Sequence, residues 1–387
     1  MHLDSLLARA VQAGASDVHL KTGQPPVFRH DGALLTVDDL PPLEGRHLDN
    51  VLSSVTAHDP ARRKSFDATG ELDLAYTAPG LPRLRVNGFR QRGAISFAFR
   101  VIPNKVPSFS ELGLPEGVAA LAEERRGLVL VTGATGSGKS TTLAAIVGHV
   151  NASRSEHIVT IEDPIEFLHD DLQCIVNQRE VGLDTASFGE ALRRALRADP
   201  DVILIGELRD AETAQTAMQA AESGHLVLST LHTVDAAETI GRMVEFFPAE
   251  KHHQVRSILA GVLRGVVSQR LIPRAGGGRV AAVEVMVTNA RIVDLILENR
   301  ADEIEDAIAE GAFFKMQTFT QALIELVVSG AVEREVAANA ATNRHDFLVA
   351  LDHSLKQQIV DRAAARAAEE KAKDDELSGL RLVRPGQ

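Results

Sequence analysis

The chain reads GATGSGKS at residues 133–140, between the apolar run 128–132 and the helical pattern 141–150. Strand, glycine-rich loop and helix in this order are the context in which a Gly-x4-Gly-Lys-Ser pattern binds phosphate. The glycines let the backbone curl so that successive N–H groups face the phosphates, and the positive end of the helix dipole adds to the attraction. The alternative is a glycine-rich turn with no ligand. The pattern predicts a nucleotide-binding loop.

The loop residues can be given separate tasks. Lys139 should reach the β- and γ-phosphates of ATP, Ser140 should ligate Mg²⁺, and Thr141 should contact the α-phosphate. ATP and Mg²⁺ are therefore the expected substrate and cofactor. The predicted ATP contacts are Gly133, Ala134, Thr135, Gly136, Ser137, Gly138, Lys139, Ser140 and Thr141.

Carboxylates follow two apolar runs downstream of the loop. Glu207 comes after 202–205, where a residue that holds Mg²⁺ through water belongs if the run is a buried strand beside the loop. Glu162, Asp163 and Glu166 end the run 158–161, and such a group can polarise a water or hold Mg²⁺. The structural alternatives are that Glu207 caps a helix or forms a salt bridge, and that residues 162–166 are an exposed acidic turn. The pattern favours a hydrolytic site.

Two histidines, His225 and His232, flank the apolar run 226–229. Their position in the part of the chain that holds the loop suggests a sensor of the γ-phosphate. A structural role remains the alternative for both. Metal binding by this pair alone is not expected, because no further ligands are spaced nearby.

The apolar runs also predict the fold. Short continuous runs separated by helical stretches are typical of parallel strands covered on both faces, so residues 117–345 should form a doubly wound α/β domain. Residues 1–102 alternate like antiparallel strands and should form a small α+β domain. We expect a linker over 103–116 and a charged helical or disordered tail over 346–387. At 387 residues the chain suits two domains.

The composition of the chain limits the classes of partner and the compartment that we expect for it. A net charge of −12 argues against nucleic acid as the main partner, because phosphate backbones bind clustered Lys and Arg. A single cysteine fits a reducing compartment. No signal peptide and no transmembrane run of 18 apolar residues is visible. We expect a cytoplasmic protein.

Five motifs in order resemble the secretion-type ATPases, and within them the retraction ATPases of type IV pili, the PilT/PilU group. They are GATGSGKSTTLAA (133–145), IVTIEDPIEF (158–167), NQREVGLDT (177–185), LRADPDVILIGELRD (196–210) and GHLVLSTLHT (224–233). The likeness runs from ASDVHL at 15–20 to MQTFTQAL at 316–323.

The resemblance implies a PAS-like first domain, a RecA-like P-loop second domain and a homo-hexameric ring at the inner face of the cytoplasmic membrane. It implies an inner-membrane pilus platform protein and a paralogous pilus ATPase as partners. The catalytic base falls on Glu166 and the Walker B glutamate on Glu207. Further sensor or trans contacts fall on His225, His232, Arg85, Arg100 and Asp163.

Two features depart from the family pattern. Retraction motors usually read Ala-Ile-Arg-Asn-Leu-Ile-Arg-Glu where this chain reads RIVDLILE at 291–298, so both family arginines are missing. The extended tail after 345 resembles PilU-type accessory paralogues. We expect a retraction motor that powers twitching motility, with an accessory role as a variant of that prediction.

Three alternatives stay open at this point. A pilus assembly or type II secretion ATPase would share the same core, and so would a nucleic-acid translocase. A nucleotide-dependent scaffold would bind a partner motor without hydrolysing ATP.

Overall fold

A computed structural model describes residues 2–30, 32–57, 59–102 and 105–357. The start of the predicted linker, at Pro103 and Asn104, and the predicted tail from 358 onward lie outside these residues. The described chain divides into two units. The first comprises the residues up to Val106 with Glu162–Asp171 and Gln178–Ser187. The second comprises Pro107–Ile161, Leu172–Asn177 and the residues from Phe188 onward.

Helices and strands account for most of the described residues. The strands are β1 (Asp17–Lys21), β2 (Val27–His30), β3 (Ala33–Thr36), β4 (Glu71–Tyr76), β5 (Leu84–Gln91), β6 (Ala94–Val101), β7 (Gly127–Thr132), β8 (His157–Glu162), β9 (Ile175–Glu180), β10 (Val202–Ile205), β11 (Leu226–Leu231), β12 (Leu263–Pro273) and β13 (Arg279–Val287). The α-helices are α1 (Leu3–Gln12), α2 (Gly45–Val55), α3 (Pro60–Thr69), α4 (Phe109–Leu112), α5 (Glu116–Ala122), α6 (Lys139–Ser153), α7 (Phe188–Ala195), α8 (Ala211–Glu222), α9 (Ala236–Glu245), α10 (His252–Val262), α11 (Ala290–Leu297), α12 (Ile304–Ala309), α13 (Phe319–Val328) and α14 (Arg334–Ala340). A further helix covers 344–357, up to the end of the described chain.

The first unit contains a six-stranded sheet in the order β3-β2-β1-β6-β5-β4, with every adjacent pair antiparallel. Leucines recur at helical spacing in α1 and α2, so each helix has one apolar face. Those faces pack with Phe97 and Phe99 of the central strand β6 in one buried cluster. The predicted N-terminal antiparallel sheet is therefore confirmed.

The second unit is built on a seven-stranded sheet in the order β13-β12-β7-β11-β10-β8-β9. Strands β12, β7, β11, β10 and β8 run parallel, and β13 is antiparallel to β12. All residues of β7, β10 and β11 are buried, as the continuous apolar runs require for strands covered on both faces. The predicted α/β fold with a parallel sheet is confirmed.

The direction of these strands determines where the loops emerge. The chain leaves β7, β10 and β11 at one edge of the sheet, because parallel strands share their carboxyl ends. The glycine-rich loop follows β7, Glu207 follows β10 and His232 follows β11. Strand β8 ends at Glu162, and the residues after it are grouped with the first unit.

The C-terminal helices of the second unit pack beside β12 and β13. Phe319 and Leu323 of α13 form a buried cluster with Phe347 and Leu351, which lie in the helix over 344–357. The first turns of the predicted tail are therefore packed within the second unit, and the predicted boundary at 345 stays a prediction. In the described chain no helix is both long and apolar enough to cross a membrane.

Candidate nucleotide site

The glycine-rich loop contains glycines in backbone conformations that other residues rarely adopt. Gly138 caps α6 in the left-handed region, at φ +94°. Gly133, at φ +141°, lies so close to β12 that a Cβ atom there would be 2.5 Å from the carbonyl oxygen of Gln269. The loop between them therefore turns directly into the N-terminus of α6, where unbonded N–H groups attract phosphate.

Lys139 is the first residue of α6 and is held inside the loop. Its Nζ donates hydrogen bonds to the carbonyl oxygens of Gly133 at 2.8 Å and of Ala134 at 3.1 Å, and the side chain is buried. A buried ammonium group is stable only with such partners. Its position places a positive charge where the loop would receive phosphates.

A Mg²⁺ ion would find two oxygen donors here. Ser140 lies half-buried in the first turn of α6, and Glu207 follows the parallel strand β10 at the same sheet edge. Among the described residues no group of three or more His, Cys, Asp or Glu side chains could hold a metal. Mg²⁺ usually keeps several waters and binds one or two protein groups plus substrate phosphates, so this sparse donor set fits an ion that arrives with a nucleotide.

Glu207 is fixed by the ends of two adjacent strands. Thr230 of β11 donates its hydroxyl to the carbonyl oxygen of Gly206 at 2.7 Å, which ties the end of β10 to its neighbour. The Glu207 carboxylate then contacts the Arg209 guanidinium and lies 3.1 Å from Nε2 of His232. Glu207 and His232 are thus brought into contact, and their roles as a Walker B residue and a sensor stay predictions. Arg209 was not anticipated.

Replacing Glu207 by glutamine should leave ATP binding intact and slow hydrolysis. The amide keeps the shape of the side chain but loses the charge that would orient a Mg²⁺-bound water. Loss of a group that supports a metal through water typically costs about 10- to 100-fold in activity. Phosphate release and the Kd for ATP, measured on the same preparation, check this outcome. Equal turnover by Glu207→Gln and the parent protein would contradict the role.

His225 lies away from the loop. It precedes β11, and its carbonyl oxygen accepts the N–H of Gly127 at the start of β7, whereas the loop follows the end of β7. Six residues of strand separate the two ends, about 20 Å. The ring Nδ1 lies 2.9 Å from the carbonyl oxygen of Ala220, a local structural contact. His225 thus lies at the end of β11 opposite to the loop, and its predicted role as a sensor or trans contact stays a prediction.

The acidic segment after β8 is described within the first unit. Gln178 donates to the Glu162 carboxylate at 3.1 Å and to the Phe167 carbonyl oxygen at 2.8 Å, which fixes both ends of the segment. Asp163 and Glu166 between them are exposed. Glu166 is thus carried on an anchored segment with its carboxylate open to solvent.

Arg85 and Arg100 are direct cross-strand neighbours in β5 and β6. Their side chains therefore share one face of the first unit's sheet. Arg100 donates to Asp17 Oδ1 at 2.9 Å. Burial opposes ionisation of Asp17, but the hydrogen bonds from Arg100 and Ser16 outweigh it and lower the pKa of that carboxyl. The Asp17 carboxylate therefore already offsets the charge of Arg100 beside Arg85.

A cavity of about 320 Å³ adjoins the loop. Its walls are residues 133–137 together with Val234, Gln269, Arg270 and Leu271. Gln269 and Arg270 come from β12, far along the chain, and no sequence signal near the loop pointed to them. The cavity has apolar and polar walls, as small-molecule sites commonly do.

A buried carboxyl supports the segment that follows His232. Glu284 of β13 accepts the N–H of Ala236, the first residue of α9, at 2.9 Å. Burial raises the pKa of Glu284 to about 7, opposed by the Ala236 hydrogen bond and reinforced by Asp235 and Glu305. The unfolded chain releases this proton near pH 4.5, so the folded protein holds one more proton between pH 4.5 and 7.

The free energy of unfolding should therefore fall as pH rises from 4.5 to 7, and Glu284 should cause no further change above pH 7. The loss is about 1.4 kcal/mol for each pH unit, or roughly 3 kcal/mol in total. Glu284→Gln keeps the acceptor for Ala236 and removes the titration. The free energy of unfolding, measured against pH, should decline less in the variant than in the parent between pH 4.5 and 7. Parallel curves would exclude an elevated pKa.

Comparisons with known proteins agree with this geometry. The family model "Type II/IV secretion system protein" matches residues 1–359. The type IV pilus retractation ATPase PilT of Pseudomonas aeruginosa is 47% identical over 90% of this chain and 100% of its own length. The type IV pilus ATPase PilU of the same organism is 40% identical over 90% of each chain. A crystal structure of the pilus retraction motor PilT with bound ADP superimposes with a TM-score of 0.84, at 43% identity, over 89% of this chain and 98% of that one. The chain belongs to the family of type II/IV secretion system proteins.

Proposed function

We propose that this chain is the ATP-hydrolysing motor that retracts a type IV pilus and so powers twitching motility. It is an ATPase of the secretion family. One observation carries the proposal: the glycine-rich loop with Lys139 and the carboxylate of Glu207 emerge at the same edge of a parallel sheet, in a chain that is similar to PilT along all of PilT's length.

The site residues divide the work of phosphoryl transfer to water. Residues 133–141 bind the phosphates, and Lys139 neutralises charge that develops on them. Ser140 and, through water, Glu207 would hold Mg²⁺, which would supply further charge neutralisation when bound. Glu166 is the catalytic base that orients the attacking water, with Asp163 beside it. His232 contacts Glu207 and reports the state of the γ-phosphate. Such chemistry needs positioning and charge rather than covalent catalysis.

The arrangement favours a ring in which one subunit completes another's site. Arg85 and the Asp17-paired Arg100 are neighbours on the first unit's sheet, and we propose that they contact the nucleotide of a neighbouring subunit. We propose a homo-hexamer whose PAS-like domain (1–102) and RecA-like domain (117–345) are joined by the linker 103–116 and followed by the tail 346–387. Nucleotide-driven rotation between two domains is a common way to do mechanical work.

The proposed partners follow from the same function. The ring would act on an inner-membrane platform protein at the cytoplasmic face of the membrane, beside a paralogous pilus ATPase. The chain is 47% identical to PilT and 40% identical to PilU from one organism, at equal coverage of this chain. This difference favours a main motor over an accessory one, despite the missing arginines in 291–298.

A deletion strain tests the direction of the motor. Without a retraction motor, cells should carry excess pili and lose twitching, and the gene for this chain should restore both traits. Bald cells would instead support a pilus assembly or type II secretion ATPase. If purified protein hydrolyses ATP many-fold faster with DNA at physiological salt, a nucleic-acid translocase would replace the proposal.

A further inference from the structure

Strand β12 contacts the phosphate loop through buried side chains on both sides of the loop. β12 runs parallel to β7, with Ser268 opposite Thr132. The Thr132 hydroxyl donates to Ser268 Oγ at 3.0 Å, just before the loop begins. The Gln269 amide donates to Thr142 Oγ1 at 2.8 Å, in the first turn of α6 after the loop. The loop is therefore anchored to β12 at its start and at its end.

Of these two side-chain hydrogen bonds, the one from Gln269 is the shorter. The side chain of Gln269 and that of Thr142 are each only 2% exposed, so water cannot replace the bond between them. The Gln269 carbonyl oxygen also lies where a Cβ atom on Gly133 would clash, at 2.5 Å. One residue thus contacts the first glycine of the loop through its backbone and the helix after the loop through its amide.

We propose that Gln269 is a positioning residue for nucleotide binding, acting through Thr142. Thr142 lies three residues after Lys139 and two after Ser140, on the same first turn of α6. A shift of that turn would move the N–H groups, the ammonium and the hydroxyl that receive the phosphates. The proposal rests on the proposed function, since it requires that the loop bind ATP.

A structural role and a positioning role of the Gln269–Thr142 hydrogen bond predict different effects when the bond is removed. A buried hydrogen bond that only stabilises the fold would lower the melting temperature on removal and leave the affinity for nucleotide unchanged. A positioning bond must change the affinity as well, because small misplacements of binding groups are costly. Removing one partner leaves the other buried without its hydrogen bond, which is costly. Removing both partners can leave the free energy nearly unchanged.

The test uses full-length protein and isothermal titration with ADP and Mg²⁺, which avoids turnover. Gln269→Met and Thr142→Val remove one partner each with little change of shape. Each should weaken ADP binding roughly five- to thirty-fold, the equivalent of one to two kcal/mol. The double variant should bind no more weakly than the weaker single variant, and Thr142→Ser should bind within about twofold of the parent because it keeps the hydroxyl.

Thr56→Val is the matched control, since it removes a buried threonine hydroxyl that bonds to Leu52 in the first unit. Its melting temperature should fall while its ADP affinity stays the same. Unchanged affinity in Gln269→Met, or additive losses in the double variant, would overturn the inference. If Thr142→Val does not fold, Gln269→Met and Thr142→Ser still decide the outcome. Parent protein that binds no ADP would instead overturn the proposed function.

Discussion

A Lys139→Ala variant is expected to lose detectable ATP binding while keeping its fold. Lys139 is buried in the loop, with its ammonium bonded to the carbonyl oxygens of Gly133 and Ala134. Removing it takes away the cation that faces the β- and γ-phosphates and leaves those carbonyl groups without this donor. A hydrogen bond to a charged group contributes about 1.5 to 3 kcal/mol, and the Lys139 ammonium is expected to contact two phosphates. Titration with ATP and far-ultraviolet circular dichroism measure the two properties.

Lys315→Ala provides the matched control for this experiment. Lys315 belongs to the same unit but is half-exposed and pairs with Glu116 on the surface at 3.2 Å. Its removal should change neither ATP affinity nor turnover, since exposed ion pairs contribute little. If Lys139→Ala bound ATP as the parent does, the glycine-rich loop would not be the phosphate site.

A Glu166→Gln variant is expected to bind ATP normally and to hydrolyse it about 10²- to 10⁴-fold more slowly, the range for a general base. Glu166 is exposed on a segment that Gln178 anchors, so its replacement should not disturb the fold. The amide cannot accept the proton of an attacking water. Single-turnover phosphate release, with ATP affinity measured alongside, separates this effect from a binding defect.

Glu222→Gln is the control for that measurement, because Glu222 is an exposed glutamate at the end of α8. It should hydrolyse ATP at the parental rate. Full activity of Glu166→Gln would remove Glu166 from the base role and leave Asp163 as the next carboxylate to vary.

The sequence predicted those parts of the protein whose structure depends on residues close together in the chain. The loop at 133–140 needs only a strand, glycines and a helix in order, and the runs 202–205 and 226–229 are apolar enough to be central strands. The position of Glu207 followed because it ends one of those strands. These features do not depend on how distant segments pack.

Contacts between distant segments escaped sequence reasoning. Gln269 and Thr142 are 127 residues apart, and the sequence around neither residue predicts the hydrogen bond between them. The elevated pKa of Glu284 comes from burial beside α9, which a single carboxylate in an apolar strand does not reveal. Phe347 and Leu351 look like part of a charged tail in sequence, yet both are fully buried.

Phosphate release by the purified full-length chain, supplied with ATP and Mg²⁺ and sized on a column under the same conditions, tests the central claim most directly. We expect steady turnover by a hexamer, and none by the Lys139→Ala variant. A folded protein that binds ATP and releases no phosphate, whatever its size, would contradict the motor account and leave a nucleotide-dependent scaffold in its place.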